Sequence, residues 1–515
     1  MRKFVGLLGA AVLVGATLGI AHAGTPAWQQ VKNQPPFFPG AALLLMNGDV
    51  MVQAQPDNAS QWWLLEPNDL GSYLDGSWHQ IASLPVIDGT QYAPEYYASA
   101  VLPDGKVLIM GGEYNGESGQ VESNLGAIYD PVVTKKWTAV NAPVDPDGIP
   151  WRNIGDAGSV VLPNGTFMLQ SIGEEQDAIE EALFDEENYT WKALLNTNKD
   201  EADQAEEGWT LLRDGTVLTV DIWNSDLKHT EKFYKGKWIS AGDTTAQLDG
   251  GKNDDGSDAY EVGPAVLRAD GTVIAFGATG TNSVYQPPST PSQPGKWVKA
   301  PSFPTYQGSD GVQRLDVADG PAALMPNGSV LVAASPGVSN RPIRLYEFTP
   351  TGALSLLSEQ PPNAANDSSF FGRMLVLPTG QILFIDGSQD VEIYTPSGSP
   401  NAAWAPTIGT YPSSIVRGAN HSYKITGTQF NGLSQGAMFG DDAQMATNYP
   451  LVRVSYANGG IYYCRAFHPS TMAVATGNAT VSTNFGCGTN VPAGAANLEV
   501  VANGIPSASV PVTLQ

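Results

Sequence analysis

Carboxylate side chains recur at one place in a phrase that the sequence repeats seven times. Each copy is an apolar run, a short turn ending in Gly, and a second apolar run. In six copies an Asp or Glu stands 8 to 13 residues before the turn Gly. These residues are Glu95, Asp156, Glu206, Glu207, Glu261, Asp316, Asp319 and Asp367. If they converge, their like charges would raise some of their pKa values or recruit a cation. A ring of oxygen donors suits Ca²⁺ better than a transition metal.

Three roles remain open for these carboxylates. They could hydrogen-bond backbone N–H groups of a neighbouring repeat and hold the repeats together, which is the structural alternative. They could instead bind a ligand or a cation, or they could act in catalysis. Glycoside hydrolysis would require two of them at a defined separation, which a sequence does not reveal.

Aromatic residues cluster in the first four repeats, close to the ends of predicted strands. They are Trp62, Trp63, Tyr92, Tyr96, Tyr97, Trp151, Trp209 and Trp223. Sugar rings stack on aromatic faces while carboxylates accept hydrogen bonds from their hydroxyl groups, so an acidic, aromatic mouth would suit a glycan. The alternative is that these rings pack between repeats.

A second acidic patch runs from Asp249 to Asp258, with Asn253, Asp254 and Asp255 between them. Its spacing differs from the EF-hand pattern and no Glu stands at the final ligand position. The patch is interpreted as a solvated loop, with a calcium loop as the alternative.

Other site classes are excluded by composition. The chain of 515 residues has 51 Asp+Glu against 26 Lys+Arg, a net charge of −25, which argues against a nucleic-acid partner. Five His and two Cys are too few for a Ser-His-Asp or Cys-His centre or for a cysteine-rich metal site. No Gly-rich phosphate loop leads from a strand into a helix.

The elements that position these residues are predicted by the repeat itself. The turn glycines are Gly48, Gly105, Gly165, Gly215, Gly271, Gly328 and Gly380. Most are preceded by Asn or Asp, and Asn-Gly and Asp-Gly favour two-residue hairpin turns. A second strand pair follows most turns, as at Tyr129 with Trp137 and Tyr285 with Trp297. Four strands per repeat, seven times over, predict an all-β chain with a seven-bladed β-propeller. The segment around Trp28 is predicted to supply the outer strand of the last blade and to close the ring.

Three segments are predicted along the chain. Residues 1–23 form a signal peptide, with a basic start, an apolar run and cleavage after Ala23, so we expect a protein exported to the periplasm, cell surface or medium. No later segment is apolar and long enough to span a membrane. Residues 24–404 form the propeller and residues 405–515 an immunoglobulin-like β-sandwich. Cys464 and Cys487 both lie in the last segment, and an exported protein would pair them as a disulfide.

The phrase at 102–112, Leu-Pro-Asp-Gly-Lys-Val-Leu-Ile-Met-Gly-Gly, resembles a kelch motif. Kelch blades followed by an immunoglobulin-like early-set domain resemble the galactose oxidase and glyoxal oxidase family. Its enzymes use a copper-radical site with a Cys–Tyr crosslink, a Tyr-His pair and a second His. In this chain the predicted propeller has no Cys, Phe370 and Phe371 stand in place of the Tyr-His pair, and residues 440–451 lack His. The resemblance therefore implies the fold without copper-radical oxidation.

The sequence thus leaves two functions from different classes. The favoured one is a secreted, non-catalytic binding or surface-interaction protein that recognises a glycan or an extracellular protein through the propeller mouth. The alternative is a carbohydrate-active hydrolase or lyase, or less favourably a copper oxidase, of galactose oxidase-like fold. No cofactor is assigned beyond a possible Ca²⁺.

Overall fold

The computed structural model describes residues 26–56, 58–116, 119–172, 181–200, 205–222, 224–252, 257–308, 311–440 and 445–515. The predicted signal peptide with Ala23, the ring of Trp223 and the patch residues 253–256 lie outside the described residues. The described chain is built from strands, with short 3-10 turns at Ser369–Phe371 and Ala402–Trp404. In the part that the structure describes, no helix has the length and apolar character needed to cross a bilayer.

All seven repeated phrases form antiparallel hairpins, as predicted. The turns differ from the expected two-residue type, because only the Gly has a positive φ, between 81° and 93° in the seven copies. In the first copy Gly48 N–H donates to Leu45 O, and Leu45 N–H donates to Asp49 O, which makes a three-residue loop. The preceding Asn47 has a different role, since its Oδ1 accepts the Asp49 N–H at 3.2 Å.

Each hairpin is the inner half of a four-stranded antiparallel blade, and there are seven blades. From inside to outside, blades 1 to 4 are Pro39–Leu44, Val50–Ala54, Trp62–Glu66 and Ser77–Gln80; Ala98–Val101, Val107–Met110, Gly126–Tyr129 and Trp137–Ala139; Ser159–Val161, Phe167–Gln170, Glu181–Asp185 and Thr190–Leu194; and Thr210–Leu211, Val217–Val220, Thr230–Tyr234 and Lys237–Ser240. Blades 5 to 7 are Ala265–Leu267, Val273–Phe276, Asn282–Gln286 and Lys296–Ala300; Ala322–Leu324, Val330–Ala334, Arg344–Phe348 and Leu354–Leu356; and Arg373–Val376, Ile382–Ile385, Val391–Thr395 and Ala27–Gln30. The chain is an all-β protein with a seven-bladed propeller.

The outermost strand of blade 7 comes from the N-terminal end of the described chain. Ala27–Gln30 pairs antiparallel with Val391–Thr395, with Trp28 opposite Tyr394. The Trp28 ring lies 4.8 Å from the Tyr394 ring and 5.5 Å from the Phe384 ring. The predicted closure of the ring by this segment is therefore confirmed.

Short two-stranded ribbons project from the propeller between the blade strands. They are Val86–Ile87 with Thr90–Gln91, Pro94–Glu95 with Tyr114–Asn115, Gly250–Lys252 with Asp258–Glu261, and Thr305–Gly308 with Gly311–Arg314. All four lie in segments that precede an innermost strand or join the second and third strands of a blade. They therefore extend the loops of one face of the propeller.

The C-terminal region forms one sheet and sends a segment into the propeller. The sheet contains Thr407–Thr410, Ser414–Ile415, Tyr423–Thr428, Leu451–Ser455, Ile461–Phe467, Val481–Gly486, Gly494–Ala502, Ile505–Pro506 and Val510–Leu514. Ile461–Phe467 pairs with Leu451–Ser455 through its first half and with Val481–Gly486 through its second half. The Cys464–Cys487 disulfide is present, as predicted. The domain limits at 404 and 405 and the immunoglobulin-like character of this region stay predictions.

We call residues 431–440 and 445–449 the central segment. Within it, Ala437–Met438 pairs with Ala322–Leu324, the innermost strand of blade 6. Gln435 Oε1 also accepts the N–H of Leu211, in the innermost strand of blade 4, at 2.7 Å. Residues 431–440 are buried along their whole length. The central segment therefore occupies the space between the innermost strands, where a propeller would otherwise have an open channel.

Candidate functional site

One face of the propeller collects the segments that precede the innermost strands. All seven blades have the same strand order, so these segments, and the loops between second and third strands, lie on the same side of the ring. We call this side the upper face. The hairpin turns that carry the seven glycines lie on the opposite side, the lower face. The predicted carboxylates all belong to the upper face.

Three of the eight predicted carboxylates come together there. Glu206, Glu261 and Asp319 precede the innermost strands of blades 4, 5 and 6, and each offers an oxygen within 4.8 Å of the other two. We call them the mouth carboxylates. Glu206 and Glu261 are half-buried and Asp319 is buried. Oxygen donors this close, supplied by three separate blades, are suited to hold a hard cation such as Ca²⁺ or to accept several hydroxyl hydrogen bonds from one ligand.

The backbone at this site is held in an unusual conformation. Glu206 has a φ of 66° and Asp319 a φ of 44°, and both are left-handed residues with a side chain. Each such residue costs on the order of 1 kcal/mol, and such conformations persist where the surrounding structure imposes them. Two of the three residues whose carboxylates converge therefore have this backbone conformation, and Glu261 does not.

The last residue of the first part of the central segment, Gly440, lies against one of the mouth carboxylates. A side chain at Gly440 would collide with the Asp319 carboxylate and would lie 2.6 Å from the carbonyl oxygen of Val262. Only a glycine lets the segment approach this closely. The segment thereby packs directly against the Asp319 carboxylate.

An aromatic and basic wall adjoins the acidic group. The Tyr96 ring lies 5.6 Å from the Phe370 ring, and the Arg373 guanidinium lies 3.7 Å from the centre of the Phe439 ring. Phe370 packs against an apolar cluster that includes Ala318, the neighbour of Asp319. Phe370 therefore lies next to the apolar cluster that contains the residue before Asp319.

Arg373 was not predicted, although the sequence contains a signal for it. It is the first residue of the innermost strand of blade 7, a position occupied by Pro, Ala, Ser or Thr in the other six blades. Its Nη1 donates to the carbonyl oxygens of Phe370 at 3.1 Å and Gly372 at 2.8 Å. These bonds hold the guanidinium against the aromatic rings, where cation–π attraction stabilises it further.

The other predicted carboxylates lie apart from this group. Asp156 is buried, and Glu95 is half-buried in its short ribbon. Asp316 is 8% exposed, and its burial raises the pKa of this carboxyl to about 8 although it accepts backbone hydrogen bonds from Gly337 and Ala318. Asp367 contacts the carboxyl of Asp386 in blade 7. The structure therefore distributes the eight carboxylates among several environments.

Glu207 illustrates the structural role most clearly. Its side chain is fully buried, accepts a hydrogen bond from Lys199 Nζ at 2.9 Å and another from Thr219 Oγ1 at 3.1 Å. Burial raises its pKa. The same Lys199 ammonium reaches Asp221 at 2.5 Å and Glu231 at 3.1 Å. Glu207 thus belongs to a buried charge cluster that joins the loop after blade 3 to the strands of blade 4.

The predicted aromatic platform is mostly interior. Trp62, Tyr92, Trp151 and Trp209 are each 0% exposed and Tyr97 is 3% exposed. Trp62 packs 5.4 Å from Trp137 of the next blade, which is the packing alternative. Of the predicted aromatic residues that the structure describes, Tyr96 is the one placed at the mouth.

A cleft of about 580 Å³ also opens at the lower face, between blades 6 and 7 and the C-terminal sheet. Its walls carry many Pro, Ser, Thr and Gly residues, including Pro378, Ser397 and Pro506. None of the eight predicted carboxylates lines it. The cleft can accept an extended apolar chain, but it lacks the convergent charges of the mouth.

No protein-family model matches the chain, and no curated protein matches it by sequence. Among solved structures, the chain is similar to the extracellular domain of a B. thetaiotaomicron protein described as a hybrid two-component system, at 10% identity and a TM-score of 0.43, covering 96% of this chain and 59% of that one. It is also similar to Kuenenia stuttgartiensis hydrazine synthase, at 12% identity and a TM-score of 0.44, covering 71% of this chain and 97% of that one. The chain thus spans about three fifths of the first of these structures. At these values the likenesses assign no activity or ligand to the chain.

Proposed function

We propose that the protein is an exported, non-catalytic binding module that recognises a glycan at the mouth of its propeller. The observation that carries this proposal is the convergence of Glu206, Glu261 and Asp319 from three blades within 4.8 Å, next to the wall of Tyr96 and Phe370. Export rests on the predicted signal peptide.

The chemistry of the mouth suits a hydroxyl-rich ligand. Carboxylate oxygens accept hydrogen bonds from sugar hydroxyls, and a Ca²⁺ held by the same oxygens would coordinate neighbouring hydroxyl groups. The exposed edge of an aromatic pair such as Tyr96 and Phe370 offers an apolar surface to one face of a sugar ring. Together the two surfaces provide orientation and affinity.

Binding is favoured over hydrolysis by the number of carboxylates that are grouped together. Inverting glycosidases separate their two carboxyl groups by roughly 6.5–9.5 Å and retaining enzymes by about 5–5.5 Å, with the sugar between them. The mouth instead groups three carboxylates, with oxygens within 4.8 Å of one another. This arrangement suits coordination of one group of hydroxyls.

The test combines a glycan array with calorimetry on the glycans that bind, in the presence of Ca²⁺ and of chelator. Glu261→Gln and Tyr96→Ala are expected to weaken binding by about tenfold or more, because each removes a direct contact. Glu187→Gln, an exposed carboxylate of blade 3 at the lower face, is the matched control and should bind as the wild type.

Two results would count against the proposal. Glycan binding that is unchanged in Glu261→Gln and Tyr96→Ala would show that the mouth is not the binding surface. Release of reducing ends or unsaturated products from a bound glycan, lost in Glu261→Gln, would establish the carbohydrate-active enzyme instead.

A further inference from the structure

A second group of carboxylates lies at the upper face of blade 7, outside the mouth. Asp386 follows the second strand of the blade, Asp390 lies in the loop, and Glu392 is in the third strand. One oxygen from each lies within 4.8 Å of the other two. The loop is short, so local chain geometry brings the three together.

Glu392 distinguishes this group from an ordinary acidic surface. Its side chain is 0% exposed, and neither of its carboxylate oxygens has a hydrogen-bond partner among the described residues. Asp386 is also 0% exposed, and its Oδ2 likewise has no partner in the described chain. A buried, unpaired carboxylate is costly. The buried oxygens therefore require a compensating positive group.

The described basic side chains do not supply that charge. Among the described residues, no Lys, Arg or His forms an ion pair with Asp386, Asp390 or Glu392. The Arg341 charge lowers the pKa of Asp367, which is not one of the three. Asp367 in turn contacts Asp386, so a fourth carboxyl lies beside the group.

Neutral donors hold the half-buried member of the group in place. Asn363 Nδ2 donates to Asp390 Oδ1 at 2.6 Å, and Gln30 Nε2 donates to Asp390 Oδ2 at 2.6 Å. Ser388 Oγ donates to Asp390, and its N–H donates to Asp386 Oδ1 at 3.0 Å. These bonds orient two carboxylates without neutralising them, as second-layer contacts do around bound metals.

We propose that Asp386, Asp390 and Glu392 form a binding site for a hard divalent cation, with Ca²⁺ as the matching ion. The donors are all carboxylate oxygens, which excludes a preference for soft transition metals. Ca–O bonds of 2.3–2.6 Å allow oxygens to lie up to about 5 Å apart across the ion, which accommodates three oxygens within 4.8 Å of one another.

The site has an access route and a structural consequence. An open recess of about 450 Å³, lined by Gln34, Pro35, Asn363, Ser388, Gln389 and Asp390, leads from solvent to the Asp390 carboxylate. Gln30, which donates to Asp390, is the last residue of the strand that closes the ring. A cation at this position therefore stabilises the junction between the two ends of the propeller.

The experiment uses the exported chain after treatment with chelator and measures Ca²⁺ binding by calorimetry and Tm with and without Ca²⁺. Glu392→Gln keeps the shape of the side chain and removes its charge, and Asp390→Asn is a second variant at a half-buried position. Both should weaken Ca²⁺ binding by about tenfold or more and lose the rise of Tm on adding Ca²⁺. Glu347→Gln, in the third strand of blade 6, should behave as the wild type.

Glu261→Gln separates this site from the mouth, and Ca²⁺ binding at blade 7 should persist in that variant. If Glu261→Gln protein neither binds Ca²⁺ nor gains Tm from it, the proposed site does not exist and the carboxyls are neutralised by protons. The same conclusion follows if Glu392→Gln and Asp390→Asn respond to Ca²⁺ as the wild type does. Neither outcome affects glycan recognition at the mouth.

Discussion

Replacing Lys199 by Met tests whether the buried charge cluster of blade 4 depends on one ammonium group. The side chain of Lys199 is 0% exposed and lies 2.9 Å from Glu207, 2.5 Å from Asp221 and 3.1 Å from Glu231. At an effective dielectric constant of about 20, each attraction at roughly 3 Å amounts to about 5–6 kcal/mol. Desolvation of the charges offsets most of this, and removing one partner of a buried pair typically costs about 3–5 kcal/mol.

This loss of folding free energy can be expressed as a shift of Tm. An unfolding entropy of about 2.1 cal/mol/K per residue gives about 1 kcal/mol/K for a chain of 515 residues. Lys199→Met is therefore expected to lower Tm by about 3–5 °C at pH 7. Calorimetry measures this shift. Lys192→Met, at an exposed position in the outermost strand of blade 3, is the control and should change Tm by less than about 1 °C.

The stability lost in Lys199→Met should be smaller at acidic pH. This pH dependence distinguishes the loss of a charge from the loss of packing. Burial already raises the pKa of Glu207 and of Glu231, and removal of the ammonium raises both further. A carboxyl with a raised folded pKa binds its proton more tightly in the folded state, so the variant recovers stability as the pH falls toward 5. Adding Glu207→Gln to Lys199→Met should likewise recover part of the loss. A fall of Tm equal to that of the control, or one independent of pH, would refute the reasoning.

Three further predictions concern other parts of the molecule. Asp316 has a pKa raised to about 8 by burial. The folded state therefore holds a proton that the unfolded state releases above about pH 4. The free energy of unfolding consequently falls as the pH rises from about 4 to 8. Asp316→Asn should flatten this slope of about 1.4 kcal/mol per pH unit, measured by denaturant titrations; an unchanged slope would contradict the raised pKa. Replacing Cys464 and Cys487 by Ser opens a loop with a sequence separation of 23 and should cost roughly 3 kcal/mol in the same titrations, whereas an unchanged midpoint would show that the bond adds nothing. Trp28→Ala removes the contacts with the rings of blade 7 and should cost about 2–3 kcal/mol, with hydrogen exchange increasing first in that blade; uniform exchange across the blades would contradict closure at this strand.

Much of the fold could be predicted because its information is local and repeated. The apolar runs and turn glycines determine each hairpin through neighbouring residues, and their recurrence predicts the number of blades. The turn itself was predicted less well, since Asn47 acts through its side chain at 3.2 Å from the Asp49 N–H and only Gly48 has the positive φ. Ring closure by the segment around Trp28 was also predictable, because a phrase typical of an outer strand stood before the first hairpin.

The candidate sites depended on distances that no repeat encodes. Glu206 and Glu207 are adjacent in the sequence, yet one reaches the mouth and the other is buried against Lys199. Glu206 has a left-handed backbone, which changes the direction of the chain between the two side chains. The group at Asp386, Asp390 and Glu392 was missed because it lies after a second strand, away from the recurring position.

The sequence by itself determined the all-β class, the seven blades, the strand that closes the ring and the disulfide between Cys464 and Cys487. Each follows from short-range patterns or from the small number of candidates. Only the tertiary structure decided which three of eight carboxylates meet, that Gly440 packs against one of them, and that most predicted aromatic residues are interior. The physical reason is that convergence depends on the ring radius and on loop paths, which are set by packing between residues far apart in the chain.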